Sequence, residues 1–401
     1  MNARRRRVLL CCEQYAPSVG GVQEVMRQIA ERLAQRGFEV LVATSAHPLR
    51  ESNATLNGVE IVSFPISGNR VLGIKGPVQD YQRFLQDGNF DAILIKAAQQ
   101  WTFDAAVDVV ERLQGRKVFI PCGFSGLSDP RYAGYFEEMP TWLALFDDLI
   151  FYSNTYQDIE FARAHGLRHL SIIPNGVDER EFSDSNPGEI LAELGIDEAD
   201  DLLLSVGGMI MAKGHWEVLA AFRQARLKRP ATLVINGNQP HVGHLSWIKR
   251  TAKHLLTGRW PISWAAALVS LQPGKKVLIT NLPRQRLIQL FNASKLFVFA
   301  SHVEYSPLVL FEAAASGTPF IASDAGNCSE IAEWTQAGIT LKRVEGNVRA
   351  CDVKDLRAAI ESMLEREDLN VLGQQGREAV MTQGFTWDRI VDRYINALGL
   401  S

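Results

Sequence analysis

The sequence predicts an α/β protein of two doubly wound parallel-sheet domains facing a cleft. Three observations predict it. Short, near-continuously apolar runs alternate with amphipathic stretches, as expected for strands covered on both faces and joined by helical crossovers. The scheme runs through the first half of the chain and then again through the second. The length of 401 residues also exceeds what one hydrophobic core usually serves.

In the first half, Val8–Glu13, Glu39–Ser45, Val59–Pro65, Asp91–Lys96, Lys117–Pro121, Leu149–Ser153 and Leu170–Pro174 read as strands. Between the first two, Val22, Val25, Met26, Ile29 and Leu33 recur at helical spacing and Gly37 supplies a stop. Pro187, Gly188 and several acidic residues mark Asn175–Asp201 as the domain joint. The second half places strands at Asp201–Val206, Thr232–Asn236, Lys276–Thr280, Leu296–Ala300, Pro319–Ser323 and Gly338–Leu341. Helices are expected at Gly214–Leu227, Arg284–Ala293, Pro307–Ser316 and Ser329–Gln336. Beyond Asp352, a suitable N-cap, the chain reads as helical to its end. No fixed-period repeat is present; the halves are alike in architecture only. The domains are placed at 1–180 and 181–384, with a returning helix at 385–401. Doubly wound sheets bind ligands beyond the carboxyl ends of their strands.

Composition narrows the function. A hydrophobic content of 46% with 22% charged residues is that of a globular chain, not a disordered one. A formal net charge of −3 argues against a dedicated nucleic-acid binder. Cys11, Cys12, Cys122, Cys328 and Cys351 form no CxxC pair, and no His, Cys and Asp cluster has metal-ligand spacing. Reduced thiols and a cytoplasmic location are expected. Val8–Cys12 is too short for a secretory signal core, and no apolar run approaches the ~20 residues of a membrane span. Arg4 to Arg7 read either as a solvated tail or as a contact with anionic lipid. The segment His241–Gln272 interleaves Trp247, Trp260 and Trp264 with Lys249, Arg250, Lys253 and Arg259. It reads as a membrane or partner surface, giving peripheral contact at the inner membrane face, or as a helical hairpin with a buried tryptophan side.

The strongest chemical signal runs from Ser301 to Pro319. A strand ends near Ser301, Ser306 suits an N-cap, and Pro307 suits the first helical position. Backbone N–H groups around Ser306 to Val309, on Ser306, Leu308 and Val309 since Pro307 has none, mark a helix start that favours phosphate through its dipole and its donors. Glu312 lies about one and a half turns inside, with its side chain tilted back toward that start. A carboxylate there can accept two hydrogen bonds from a vicinal diol such as a ribose. Glu304, on the preceding loop, can reach hydroxyls of a bound sugar. Lys213 follows a strand and opens a helix, an unfavourable place for a cation unless an anion sits nearby. Gly20 and Gly21 lie between the first strand and the first helix, where bare backbone permits close approach of a ligand or serves a tight turn.

Two glutamates separated by seven residues, followed by Ala313-x-x-x-Gly317-x-Pro319 and Ser323-Asp324-x-Gly326, resemble the donor site of the retaining GT-B glycosyltransferases of family 4. The resemblance covers nearly the whole chain: Pro17 to Glu24 in the first loop, Ile173 to Asp178 at the joint, Leu204 to His215, and Phe385 to Trp387 before the last helix. It implies two Rossmann-like domains, a C-terminal one that holds a nucleotide sugar, and no resident cofactor or metal. It further implies transfer of a hexosyl group, with retention, from a UDP- or GDP-linked donor to a hydroxyl of a glycan or lipid-linked acceptor. Catalytic roles fall to Lys213 and Glu304, and Gly20 and Gly21 lie by the donor phosphates. A nucleotide-sugar epimerase and a non-catalytic nucleotide-sugar-binding relative are the alternatives.

Two positions depart from the family pattern. The family usually carries an arginine five residues before the lysine, where this chain has Gly208; Arg284 or Arg286 would have to stand in for it. Many relatives carry a histidine where Cys122 falls, and a thiol is a weaker donor. Cys122, Gly123 and Ser125 are the expected acceptor-side residues, with Cys122 either a pocket wall or a different contact.

Overall fold

The computed structural model describes residues 4–51, 53–183, 186–238, 262–343 and 351–401. The chain divides into two compact units, one of residues 1–176 with 387–401 and one of residues 177–386.

The first unit is built on strands β1 (Arg7–Cys11), β2 (Glu39–Ser45), β3 (Asn53–Leu56), β4 (Val59–Phe64), β5 (Ser67–Asn69), β6 (Gly73–Lys75), β7 (Ala92–Lys96), β8 (Arg116–Ile120), β9 (Asp148–Phe151) and β10 (Leu170–Ile172). Eight of these make one sheet in the order β10-β9-β8-β7-β1-β2-β4-β3, parallel but for the edge strand β3. The apolar runs are central because both faces are covered: Val8, Leu9, Leu10 and Cys11 are all buried, and Leu9 pairs with Leu41 on one side and Ile93 on the other. The helix Gly21–Gln35 buries Val25, Met26, Ile29 and Leu33 of the expected stripe and leaves Val22, in its first turn, half-buried. Its Arg32 reaches Asp388 at 2.8 Å, fastening it to the C-terminal helix Trp387–Ala397.

The second unit carries β11 (Asp201–Val206), β12 (Ala231–Asn236), β13 (Lys275–Thr280), β14 (Leu296–Phe299), β15 (Phe320–Ser323) and β16 (Gly338–Leu341). Their order is β13-β12-β11-β14-β15-β16, and every pairing is parallel. Separate apolar cores line its two faces, one with Phe291, Phe297, Leu310 and Phe311, the other with Val218, Phe222, Leu233 and Ile360. The chain enters at Val177 and leaves at Thr386, and these residues pair, with the Val177 N–H donating to Phe385 O at 2.9 Å. Phe385 packs on Phe311 and stacks on Trp334. The aromatic of the Phe385–Trp387 motif thus anchors the exit strand in this unit.

Both sheets have a switch point, where the strand order turns back on the chain order: between β1 and β7 in the first unit, and between β11 and β14 in the second. Loops beyond the carboxyl ends of those strands border the ligand crevice of such folds.

The expected joint segment contains two helices, Glu179–Ser183 and Pro187–Leu194, the second opened by Asn186 capping Gly188 and by Pro187 in its first turn. Most of the tryptophan- and cation-rich segment, residues 241–261, lies outside the described residues. Its described end forms helix Ile262–Val269, on which Trp264 and Leu268 are exposed. Among the described residues no helix is long and apolar enough to cross a membrane.

Candidate active site

In the second unit, the loops after β11 and β14 meet at the switch point. The first closes in a short turn, Met211–Lys213, and Gly214 then adopts a left-handed φ of 67° before the helix His215–Gln224. A side chain at Gly214 would place its Cβ 1.8 Å from Ala300 O, so only glycine lets the turn lie on the end of β14. His302 N donates to Ala212 O at 2.7 Å, and Ser301 Oγ to the same oxygen at 3.0 Å. This docking brings Lys213 Nζ to Glu304 Oε1 at 2.6 Å, with the Glu304 side chain 10% exposed and that of Lys213 28%. The Glu304 loop is fixed from its other side. Gly326, at φ 62°, would set a Cβ 2.5 Å from Tyr305 O, and Asn327 N donates to that oxygen at 2.9 Å. The Ser323-Asp324-x-Gly326 motif is therefore the support of the Glu304 loop.

The helix beyond Glu304 spans Leu308–Ser316. Pro307, not Ser306, occupies its N-cap position, with extended backbone and no side-chain cap bond. The expected cap thus moves by one residue, because an N-cap takes extended backbone angles and Pro307 already has them. The first N–H groups, from Leu308 and Val309, have no acceptor within the helix. Glu312 sits inside with its side chain 10% exposed, and Arg284 Nη1 donates to its Oε1 at 2.5 Å.

Arg284 and Arg286 open the helix Arg284–Ala293 and are engaged by carboxylates: Arg284 by Glu181 and Glu312, Arg286 by Glu189 and Glu193. Burial alone would lower the Arg284 pKa, but the Glu312 and Glu181 charges outweigh it and raise it. A Cβ added at Gly208 would meet nothing within 4 Å, so the position where the family resemblance implies an arginine is open.

Three residues of this region were given no role from the sequence: His215, Glu217 and His302. His215 is buried between Ser205 Oγ, 3.2 Å from Nδ1, and Gly207 O, 3.1 Å from Nε2, and burial lowers its pKa. His302 Nε2 lies 3.5 Å from Glu217 Oε2, both residues being buried. His215 and Glu217 lie in the first turn of one helix and His302 on the loop after β14, so no local spacing announces the three as a set.

In the first unit, Gly20 is the N-cap of helix Gly21–Gln35 in extended conformation, and a Cβ at Gly21 would meet nothing within 4 Å. The fold itself does not require bare backbone at Gly21. Cys122 follows β8, half-buried, and burial raises its pKa while the nearby Lys96 opposes the shift. Gly123 N donates to Asp158 Oδ2 at 2.8 Å, and Ser125 Oγ to Gln99 Oε1 at 3.3 Å. Ala97, Gln99, Cys122 and Phe124 all hold left-handed φ between β7 or β8 and the next helix. Non-glycine residues in that region cost about 1 kcal/mol or more each and cluster at functional loops. Lys96, 1% exposed, donates to the Tyr152 hydroxyl at 2.5 Å; burial lowers its pKa. Burial also pushes the Cys11 and Cys12 thiols up to about 12, and all five cysteines are free thiols. Among the described residues no three His, Cys, Asp or Glu side chains group as a metal site. A cavity of about 380 Å³ lies elsewhere in this unit, between Asp148, Ser171 and Arg393, and includes none of the candidate residues.

Two Rossmann-like parallel-sheet units, the second with a lysine, two carboxylates of low exposure and a helix start gathered at its switch point, define a GT-B glycosyltransferase. Residues 19–181 match the profile of Glycosyltransferase Family 4 and residues 200–366 that of Glycosyl transferases group 1. The chain belongs to this group 1, family 4 class of glycosyltransferases. It is 22% identical to the N-acetyl-alpha-D-glucosaminyl L-malate synthase of Bacillus anthracis over 94% of this chain and 93% of that protein. It is 28% identical to the D-inositol 3-phosphate glycosyltransferase of Nocardiopsis dassonvillei, over 61% of this chain and 54% of the relative. Among solved structures, sucrose-phosphate synthase from Thermosynechococcus elongatus superposes with a TM-score of 0.75 at 18% identity, over 99% of this chain and all of that one. The Anabaena HepE protein in complex with UDP and glucose gives a TM-score of 0.68 at 17% identity, over 98% of this chain and all of that one.

Proposed function

We propose that this glycosyltransferase moves a hexosyl group from a UDP- or GDP-linked sugar to a hydroxyl of a glycan or lipid-linked acceptor, with retention at the anomeric carbon, in the cytoplasm. The observation that carries the reading is the contact of Lys213 with Glu304 at the switch point of the second unit, beside the uncapped helix start at Leu308. A diphosphate leaving group develops negative charge as its bond to the sugar breaks. An ammonium with three donors can keep Glu304 and also reach a phosphate oxygen. The free N–H groups of Leu308 and Val309 add partial positive charge. Both are in place before reaction, which is electrostatic preorganisation. Glu304 then orients the sugar hydroxyls and Glu312 the ribose. Gly20 and Gly21, and Cys122 with Gly123 and Ser125, serve the donor phosphates and the acceptor. Peripheral contact with a membrane belongs to the same reading, through the segment around Trp264. The Anabaena HepE complexes with UDP and with UDP-glucose support a uridine donor.

A thermal-shift panel of UDP, GDP and their hexose conjugates tests the donor, because a ligand that binds the folded state raises its midpoint. One nucleotide series should raise it, and proton NMR of the transfer product should show the donor's anomeric configuration kept. A panel without any shift, or an inverted product, contradicts the reading.

A further inference from the structure

We propose that Arg284 is a positioning residue for the nucleotide: it holds the Glu312 carboxylate so that its second oxygen is presented to the ribose, and Glu181 holds Arg284 in turn. This rests on the reading of Glu312 as the ribose carboxylate. Glu312 is a buried acid, and an ionised carboxylate at such a site needs a compensating charge. Arg284 Nη1 supplies it at Oε1, 2.5 Å away, and among the described residues Oε2 has no hydrogen-bond partner. A ribose diol requires that remaining acceptor.

The arginine is not placed there by its own helix. It opens the helix Arg284–Ala293 behind Pro283, at the end where the dipole disfavours a cation. Its two carboxylates account for it. Glu181 Oε2 accepts from Nη2 at 2.6 Å and from Nε at 3.2 Å, and the guanidinium lies 5.7 Å over the Phe182 ring. Glu181 and Phe182 belong to the short helix Glu179–Ser183, just after the chain enters this unit at Val177. One planar fork therefore spans two carboxylates that come from distant parts of the chain. A lysine, with a single point of charge, does not reproduce that geometry. The neighbouring Arg286 shows the contrast: its partners Glu189 and Glu193 have side chains 58% and 47% exposed, and neither belongs to the candidate site.

The test compares each nucleotide with its counterpart lacking the ribose hydroxyls. UDP, GDP and their 2′,3′-dideoxy forms are titrated calorimetrically into the wild type, Arg284→Met, Arg284→Lys, Glu181→Gln and Glu312→Gln. Arg284→Met should weaken the ribonucleotide about tenfold, the value of one charge-assisted hydrogen bond, and leave the dideoxy form within about twofold. Arg284→Lys should show the same selective loss despite keeping the charge, and Glu181→Gln a smaller loss in the same direction. Equal weakening of both ligands, or of neither, by Arg284→Met overturns the proposal. Should that variant not fold, Arg284→Lys decides in its place: selective loss supports the proposal and unchanged affinity overturns it. If Glu312→Gln is selective while the Arg284 variants are not, the Arg284 assignment fails alone; if Glu312→Gln is not selective either, the ribose reading fails with it.

Discussion

Lys213 Nζ and Glu304 Oε1 stand 2.6 Å apart across 91 positions of sequence, each on a loop leaving the carboxyl end of a switch-point strand. The pair has two consequences that mutation separates. Removing the lysine leaves Glu304 with little solvent and no ammonium, a costly state for a buried charge. It also removes the cation expected to meet the leaving group. Lys213→Met should therefore lower the thermal midpoint and reduce kcat by about 10²- to 10³-fold, the usual effect of losing one transition-state charge partner. The double variant Lys213→Met with Glu304→Gln should recover most of the midpoint and none of the rate. Differential scanning calorimetry and initial rates at saturating donor check both halves.

Gly208→Arg should tighten binding of the nucleotide diphosphate several-fold. An added Cβ meets nothing within 4 Å and the φ of Gly208 is not in the left-handed range, so the backbone accepts a side chain there. A second cation near Lys213 adds attraction for a diphosphate. Titration calorimetry with UDP and GDP reads the change; weaker binding would show that this loop does not face the phosphates.

Gly326→Ala and Gly21→Ala should differ in kind. Alanine at Gly326 meets Tyr305 O at 2.5 Å with a left-handed φ and so displaces the Glu304 loop, at a cost of about 1–3 kcal/mol. Alanine at Gly21 meets nothing and sits at a helix start, so the midpoint should hold or rise slightly. If Gly21 is bare to admit the donor, turnover falls while stability does not. Melting curves and rates on the two variants separate the cases.

Stability should fall with acidity through the histidine range. Burial lowers the His215 pKa below its ordinary 6.5, and Lys213 adds to the shift. Below 6.5 the unfolded chain takes up a proton that the folded chain refuses, so the unfolded state binds more protons and stability rises with pH. His215's contribution is complete above pH 6.5 and is lost as pH falls below it toward the lowered value. His215→Gln should flatten the midpoint-versus-pH curve in that window; an unchanged slope contradicts the assignment.

Much of the fold was legible because parallel strands covered on both faces leave a strong sign: Val8 to Cys11 and Leu202 to Leu204 are apolar without interruption and buried. The edge strand β3 and the ribbon β5–β6 were not legible. They are short, mostly polar and, but for the buried Asn69, largely exposed, with Gly68 and Gly73 in the ribbon, so neither periodicity nor hydrophobicity marks them. Glu304, Glu312 and Lys213 could be singled out because a helix start, a proline and an ill-placed cation are local features. The contact of Lys213 with Glu304, and the Glu181–Arg284–Glu312 chain, were not legible. Both depend on which strands flank the switch point and on helices in a segment read as a joint.

The most direct test of the proposed phosphate grip is calorimetric titration of UDP and UMP, with GDP and GMP alongside, into the wild type and Lys213→Ala. The wild type should bind one diphosphate at least about tenfold more tightly than its monophosphate, and Lys213→Ala should erase that margin while leaving monophosphate affinity nearly unchanged. Equal affinity for the two phosphate lengths in the wild type, or a margin that survives loss of the lysine, would contradict it.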